Sequence, residues 1–107
     1  MIDLKDFIGE TIVARDVERK GKTHTFHFAE ISAEEAEELF IGVSQTDQKK
    51  NKGLRARIIA TIVRNEDGSR AFKESEANKL PLWLAQKLQE LSLEVNALTE
   101  DKDAKKE

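Results

Sequence analysis

Two histidines at a His-x-x-His spacing, His24 and His27, are the chain's only imidazoles. They are the first residues to weigh for metal or acid–base chemistry. They lie in a stretch, Thr23 to Phe28, that alternates with a period of two, as a β-strand does. That period puts His24 with Phe26 and Phe28 on one face, and His27 with Thr23 and Thr25 on the other. Zinc needs several ligands converging on one point, so imidazoles on opposite faces cannot easily share an ion. There is no cysteine to complete a site or to form a disulfide. Carboxylates are abundant, but solvated glutamates are the default and no pair is marked as an acid–base couple. The glycines are scattered at positions 9, 21, 42, 53 and 68, which leaves no phosphate-cradling loop. Asp67-Gly68 lacks the further acids a calcium loop requires. The residues therefore point to a protein that is not an enzyme and uses no metal or cofactor.

A chain of 107 residues is one domain by length. The expected boundaries are a single small α+β domain over residues 1–98 and a disordered charged tail over 99–107. Such a domain is marginal alone, which makes support from a partner or a second copy plausible. Asp3, Lys5 and Asp6 interrupt the start of the chain, unlike a signal peptide. No window approaches the roughly 18 apolar residues of a membrane span. The expectation is a soluble intracellular protein.

The elements that must hold any site follow from pattern. Asp3–Gly9 reads as one or two helical turns closed by Gly9. Thr11–Phe28 reads as a β-hairpin turning at Arg19-Lys20-Gly21-Lys22, with Phe26 and Phe28 directed inward. Ser32-Ala33-Glu34-Glu35 is a capping box opening a helix whose inner face is Ala36, Leu39, Phe40 and Val43, ending near Gly42. Ser44 to Gly53 is a polar loop. Leu54–Arg64 fits either a helical stripe or a strand. Its β-branched residues and the following Asp67-Gly68 turn favour a strand entering a short hairpin with Arg70–Phe72. Pro81 opens a long amphipathic helix with a seam of Leu84, Leu88, Leu91, Val95 and Leu98. The fold is thus α+β: an N-terminal β-hairpin and short strands packed with about three helices, the last one long.

Leu82, Trp83 and Leu93 fall outside that seam. Core burial is the ordinary fate of a tryptophan, yet surplus apolar positions on one helix also mark a protein-binding patch. Charge is segregated as well. Glu30, Glu34, Glu35, Glu37 and Glu38 form an acidic block, and Lys49, Lys50, Lys52, Arg55, Arg57 and Arg64 a basic one. The basic stretch Lys49–Arg64 could touch phosphates, but it has no interleaved aromatics for base stacking and no accompanying motif, and the net charge is -3.

The run from Arg55 through Asn65-Glu66-Asp67-Gly68 to Ala71-Phe72, then an acidic segment, Leu80-Pro81 and a helix ending in Leu93-Glu-Val-Asn-Ala-Leu98, resembles the tail assembly chaperones of long-tailed bacteriophages. The likeness spans about residues 10 to 98 and is one of pattern, since that family has no invariant catalytic motif. It implies a non-enzymatic protein that binds the tape measure protein and keeps it soluble in the host cytoplasm while tail tube protein assembles around it. It implies absence from the finished virion. It also implies a longer form, made by programmed frameshift near the end of the short reading frame, that recruits tube protein; Lys105-Lys106 fits an A-rich slippery site. The other readings are a small nucleic-acid-binding protein using Lys49–Arg64 and a structural tail component retained in the virion. If Glu34, Glu37 and Glu38 of one copy meet Lys49, Lys50, Lys52, Arg55 and Arg57 of the next, weak, salt-sensitive homo-oligomers are expected.

Overall fold

The computed structural model describes residues 11–41 and 53–98. The expected turn at Asp3–Gly9, Gly42, Val43, the loop up to Lys52 and the tail 99–107 lie outside the described residues. The order is β1 (Thr11–Arg19), β2 (Lys22–Glu30), α1 (Ala33–Phe40), α2 (Leu54–Ile62), β3 (Val63–Arg64), α3 (Glu74–Ala77) and α4 (Leu82–Val95). The sheet is antiparallel in the order β1-β2-β3. The fold is α+β, as the patterning predicts, with the short α3 added in the acidic segment.

The hairpin turns through Lys20 and Gly21, both at positive φ (53° and 79°), the conformation whose twist matches that of the flanking strands. A two-residue loop makes its flanking pair, Arg19 and Lys22, a hydrogen-bonded one, and this fixes the phase of the whole ladder. Odd-numbered residues of β1 therefore bond to β2. Ile12, Ala14, Asp16 and Glu18 direct their N–H and C=O groups to the outer edge. On β2 the groups of Thr23, Thr25, His27 and Ala29 point the other way, towards β3, where His27 meets Arg64.

β3 is too short to cover the end of β2, and a side chain completes the job. Asn96, the C-cap of α4, accepts from the Ile31 N–H through Oδ1 at 2.8 Å. Its Nδ2 donates to the Ala29 carbonyl at 3.0 Å and to the Ser92 carbonyl at 3.0 Å. One amide thus continues the ladder past β3 and ties the last turn of α4 to the sheet. The helix then closes through Leu98 N–H to the Leu93 carbonyl at 2.7 Å and Ala97 N–H to the Glu94 carbonyl at 3.1 Å. This paired closure requires Ala97 in the left-handed region (φ 54°).

The inward face of the hairpin carries Val17 and Phe28, both buried, with Phe26 partly so. Leu88 and Leu91 of α4 and Ile58, Ile59 and Ile62 of α2 complete one core. In α1, Ser32 accepts from the Glu35 N–H at 3.1 Å as the capping motif predicts. Leu39 is buried and Phe40 packs against the core.

The strand expected over Leu54–Arg64 is a helix for nine residues and a strand only at Val63–Arg64. The reason is enclosure: α2 packs against α4, α3, α1 and β2, and Ala56, Ile58, Ile59, Ala60 and Ile62 are all buried. Burying each isoleucine gains about 1.5–3 kcal/mol, whereas β-branching costs a helix only tenths of a kcal/mol per residue. The expected hairpin survives in miniature. Arg64 bridges Arg70, and the Ala71 N–H reaches the Val63 carbonyl at 3.2 Å.

Removing the Asn96 amide strands an N–H and a carbonyl at the end of β2. Asn96→Ala is expected to destabilise the protein by about 2 kcal/mol in denaturant unfolding. Asn96→Asp, which loses both donations and faces two carbonyls with a carboxylate, is expected to cost at least as much at neutral pH. An unchanged unfolding midpoint for either variant would refute this role.

Candidate protein-binding groove

Pro81 enters α4 in an extended conformation (φ -55°, ψ 143°), and Leu82 is the first helical residue. Leu82 is 63% exposed, the most open large apolar side chain of α4. Its neighbour Trp83, about 100° around the helix, packs partly buried against the core. The guanidinium of Arg19, at the tip of the hairpin, lies over the Trp83 ring at 4.2 Å from its centroid. Such a contact contributes about 0.5–1 kcal/mol where exposed, and it occupies the ring from within the chain. Leu93 is likewise partly buried against the core. Of the expected patch, only Leu82 stands open.

Leu82 borders a groove of about 620 Å³ between the first turn of α2, the end of α3 and the start of α4. Ala56, Ala77 and Ala85 are buried in its floor, and Leu54 and Leu80 share its apolar wall with Leu82. Floors of small side chains let another backbone or helix approach closely, since nothing projects to hold it off. Polar groups edge the opening: Arg55 Nε donates to Gln89 Oε1 at 2.7 Å, joining α2 to α4, with Asn78 beside them. The fold thus brings Leu82 and Arg55, expected in separate roles, to one groove.

A few members of the two charged blocks line one cleft within a single chain. Glu35 and Glu38 of α1 share a cleft of about 210 Å³ with Arg57 of α2, Arg70 and Glu74. Arg57 is half-buried, and its Nε is withdrawn from solvent without a hydrogen-bond partner. Glu34 and Glu37 remain exposed on α1, while Lys49, Lys50 and Lys52 lie outside the described residues. Arg64 is no surface residue at all: it is 7% exposed. Its guanidinium donates to the Thr61 carbonyl at 2.9 and 3.2 Å and to the Gly68 carbonyl at 3.1 Å. Arg55, Arg57 and Arg64 therefore face three different surroundings.

The remaining candidates hold the expected positions. His24 is exposed and His27 half-buried, on opposite faces of β2. Asp67 serves its turn, its Oδ1 accepting from the Ser69 N–H at 2.9 Å and the Ser69 hydroxyl at 2.6 Å. Those bonds, the hydroxyl first, hold its carboxyl below the ordinary value of 3.8. Among the described residues no helix is long and apolar enough to cross a membrane.

Comparison of the chain with family models, with curated proteins and with solved structures finds no match.

Sequence reasoning missed the groove's alanine floor and the part played by Leu54 and Leu80. The Leu54–Ile58–Ile62 spacing was the available signal, since as a helix it puts Leu54 one turn from the buried stripe. Because Leu82 is open and Leu88 fully buried, the two are expected to respond differently to truncation. Leu82→Ser is expected to change stability by no more than about 0.5 kcal/mol. Leu88→Ala should cost about 2–5 kcal/mol. Thermal or urea unfolding reads both, and a large loss for Leu82→Ser would assign that side chain to the core.

Proposed function

We propose that the protein is a non-enzymatic tail assembly chaperone of a long-tailed bacteriophage, binding apolar helices of the tape measure protein in the groove beside Leu82. The observation that carries the reading is the exposed Leu82 at the edge of an alanine-floored groove with a polar opening. Amphipathic helices lay their apolar face into grooves of this kind through anchors spaced three and four residues apart. The order of elements that resembles the chaperone family supports the same assignment.

In this reading each copy covers a short stretch of a long client and holds it weakly. Many copies along one chain give durable protection while each contact stays reversible. Reversibility matters because the chaperone leaves as tail tube protein closes around the tape measure. The work is done in the host cytoplasm, and the protein is absent from the mature virion. Recruitment of tube protein falls to a frameshifted longer form.

Co-expression with a candidate tape measure protein tests the proposal. The wild type is expected to hold the client in the soluble fraction and to co-purify with it. Leu82→Glu, which places a charge on the groove wall without disturbing the core, is expected to lose at least most of that effect. A client that stays insoluble with the wild type, or equal rescue by Leu82→Glu, would overturn the assignment.

A further inference from the structure

Among the described residues that line the Leu82 groove, Arg55 alone is charged and none is acidic. The rest of the lining is glycine, alanine and leucine with the side-chain amides of Asn78 and Gln89. Arg55 stands exposed in the first turn of α2. Its hydrogen bond runs from Nε to Gln89 Oε1 at 2.7 Å, which fixes the plane of the guanidinium fork. No described residue takes up the N–H groups on its two terminal nitrogens.

Among the described residues, no carboxylate of the elements around the groove is paired with that charge. The sequence has no acid between Asp47 and Glu66, so α2 brings none of its own. Glu76 of α3 turns its Oε1 to the Lys73 N–H at 2.8 Å, and Glu74 lines the other cleft with Arg57 and Arg70. On α4, Glu90 lies 3.8 Å from Lys87 Nζ. α2 also opens at Gly53 with no side-chain cap and no acid in its first turn, and its dipole adds to the same positive sign. An amphipathic helix seated on Leu54, Leu80 and Leu82 therefore meets an uncompensated guanidinium at the polar opening. A carboxylate matches the planar fork, an amide meets it more weakly and an ammonium opposes it. A nucleic-acid backbone offers anionic oxygens too, but it has no apolar face for the leucine wall and the alanine floor.

We propose that the groove selects acidic amphipathic helices, whose apolar stripe fills it while an aspartate or glutamate beside the stripe pairs with Arg55. Leu82 and its neighbours supply the affinity, and Arg55 supplies the choice among helices of equal apolarity. Basic amphipathic helices are disfavoured. This selection presupposes that the groove binds helices, as proposed above, and adds a charge rule to it.

A displayed library of helices with leucines recurring at every third and fourth position, and all other positions free, tests the rule on the full chain. Binders of the wild type that also hold Leu82→Ser are removed, which keeps the groove-dependent ones without altering charge. Aspartate or glutamate is expected to be enriched over lysine and arginine at a position flanking the leucines. Arg55→Glu is expected to reverse that preference; it can keep the tie to α4, because the Gln89 amide can turn to donate to a carboxylate. In a helix so selected, exchanging the acid for its amide should weaken binding to the wild type about three- to tenfold. The same exchange should be neutral towards Arg55→Gln, with circular dichroism establishing that each variant is folded. Leu82-dependent helices with no charge preference, or a preference that both Arg55 variants leave unchanged, would overturn the charge rule while the groove reading stands. A library that yields no Leu82-dependent helix would overturn both. Arg55-dependent binding of an oligonucleotide at physiological salt, with no preference for acids among the helices, would assign the guanidinium to phosphate instead.

Discussion

The side-chain amide of Asn96 is the contact on which the arrangement of this small domain turns. β3 supplies only two residues to the sheet, so the end of β2 would otherwise carry an unpaired N–H and an unpaired carbonyl against the body of the protein. Asn96 meets both, and its remaining donor holds the Ser92 carbonyl in its own helix. The amide's two donors and its acceptor are thereby all engaged, which fixes the orientation of the group. Because Asn96 is also the C-cap of α4, it sets where the long helix ends and how that helix lies on the hairpin. At the other end of α4, Arg19 over Trp83 joins the hairpin tip to the first turn. The helix is therefore tied to the sheet at both ends, with Leu88 and Leu91 filling the space between.

That geometry decides what remains open. With α4 held by its ends and α2 enclosed on several sides, Trp83 and Leu93 are drawn against the core while Leu82 projects past the end of the contact. The groove beside it exists because α2, α3 and α4 meet through alanines rather than leucines. Its leucine wall and polar opening are by-products of that packing.

Much of this was legible in the residues. The alternation of Thr23–Phe28 located the hairpin and its inward phenylalanines, Ser32 marked the start of α1, and the leucine seam located α4. Leu54–Arg64 was not, because a short β-branched segment carries no local preference strong enough to outweigh its surroundings, and what surrounds it comes from residues distant in sequence. The same gap hid the groove. Leu54 and Leu82 become neighbours only when α2 is a helix packed on α4. Charge along the sequence does not foretell the surroundings of its three described arginines: Arg55 donates to Gln89 beside a groove, Arg57 lines a cleft with acidic residues, and Arg64 is buried against carbonyls. Asn96 stood out in the sequence only as part of a pattern, since nothing local shows that β3 stops short.

The proposed function requires that an apolar helix bind in the groove beside Leu82. Amide chemical-shift mapping with a soluble amphipathic helical segment of the tape measure protein tests this most directly. The largest changes are expected on Leu54, Arg55, Asn78, Leu80, Leu82 and Gln89, with Thr23, Thr25 and the rest of the exposed sheet face unmoved. Changes centred on the sheet face or on α1, with the groove residues silent, would contradict it.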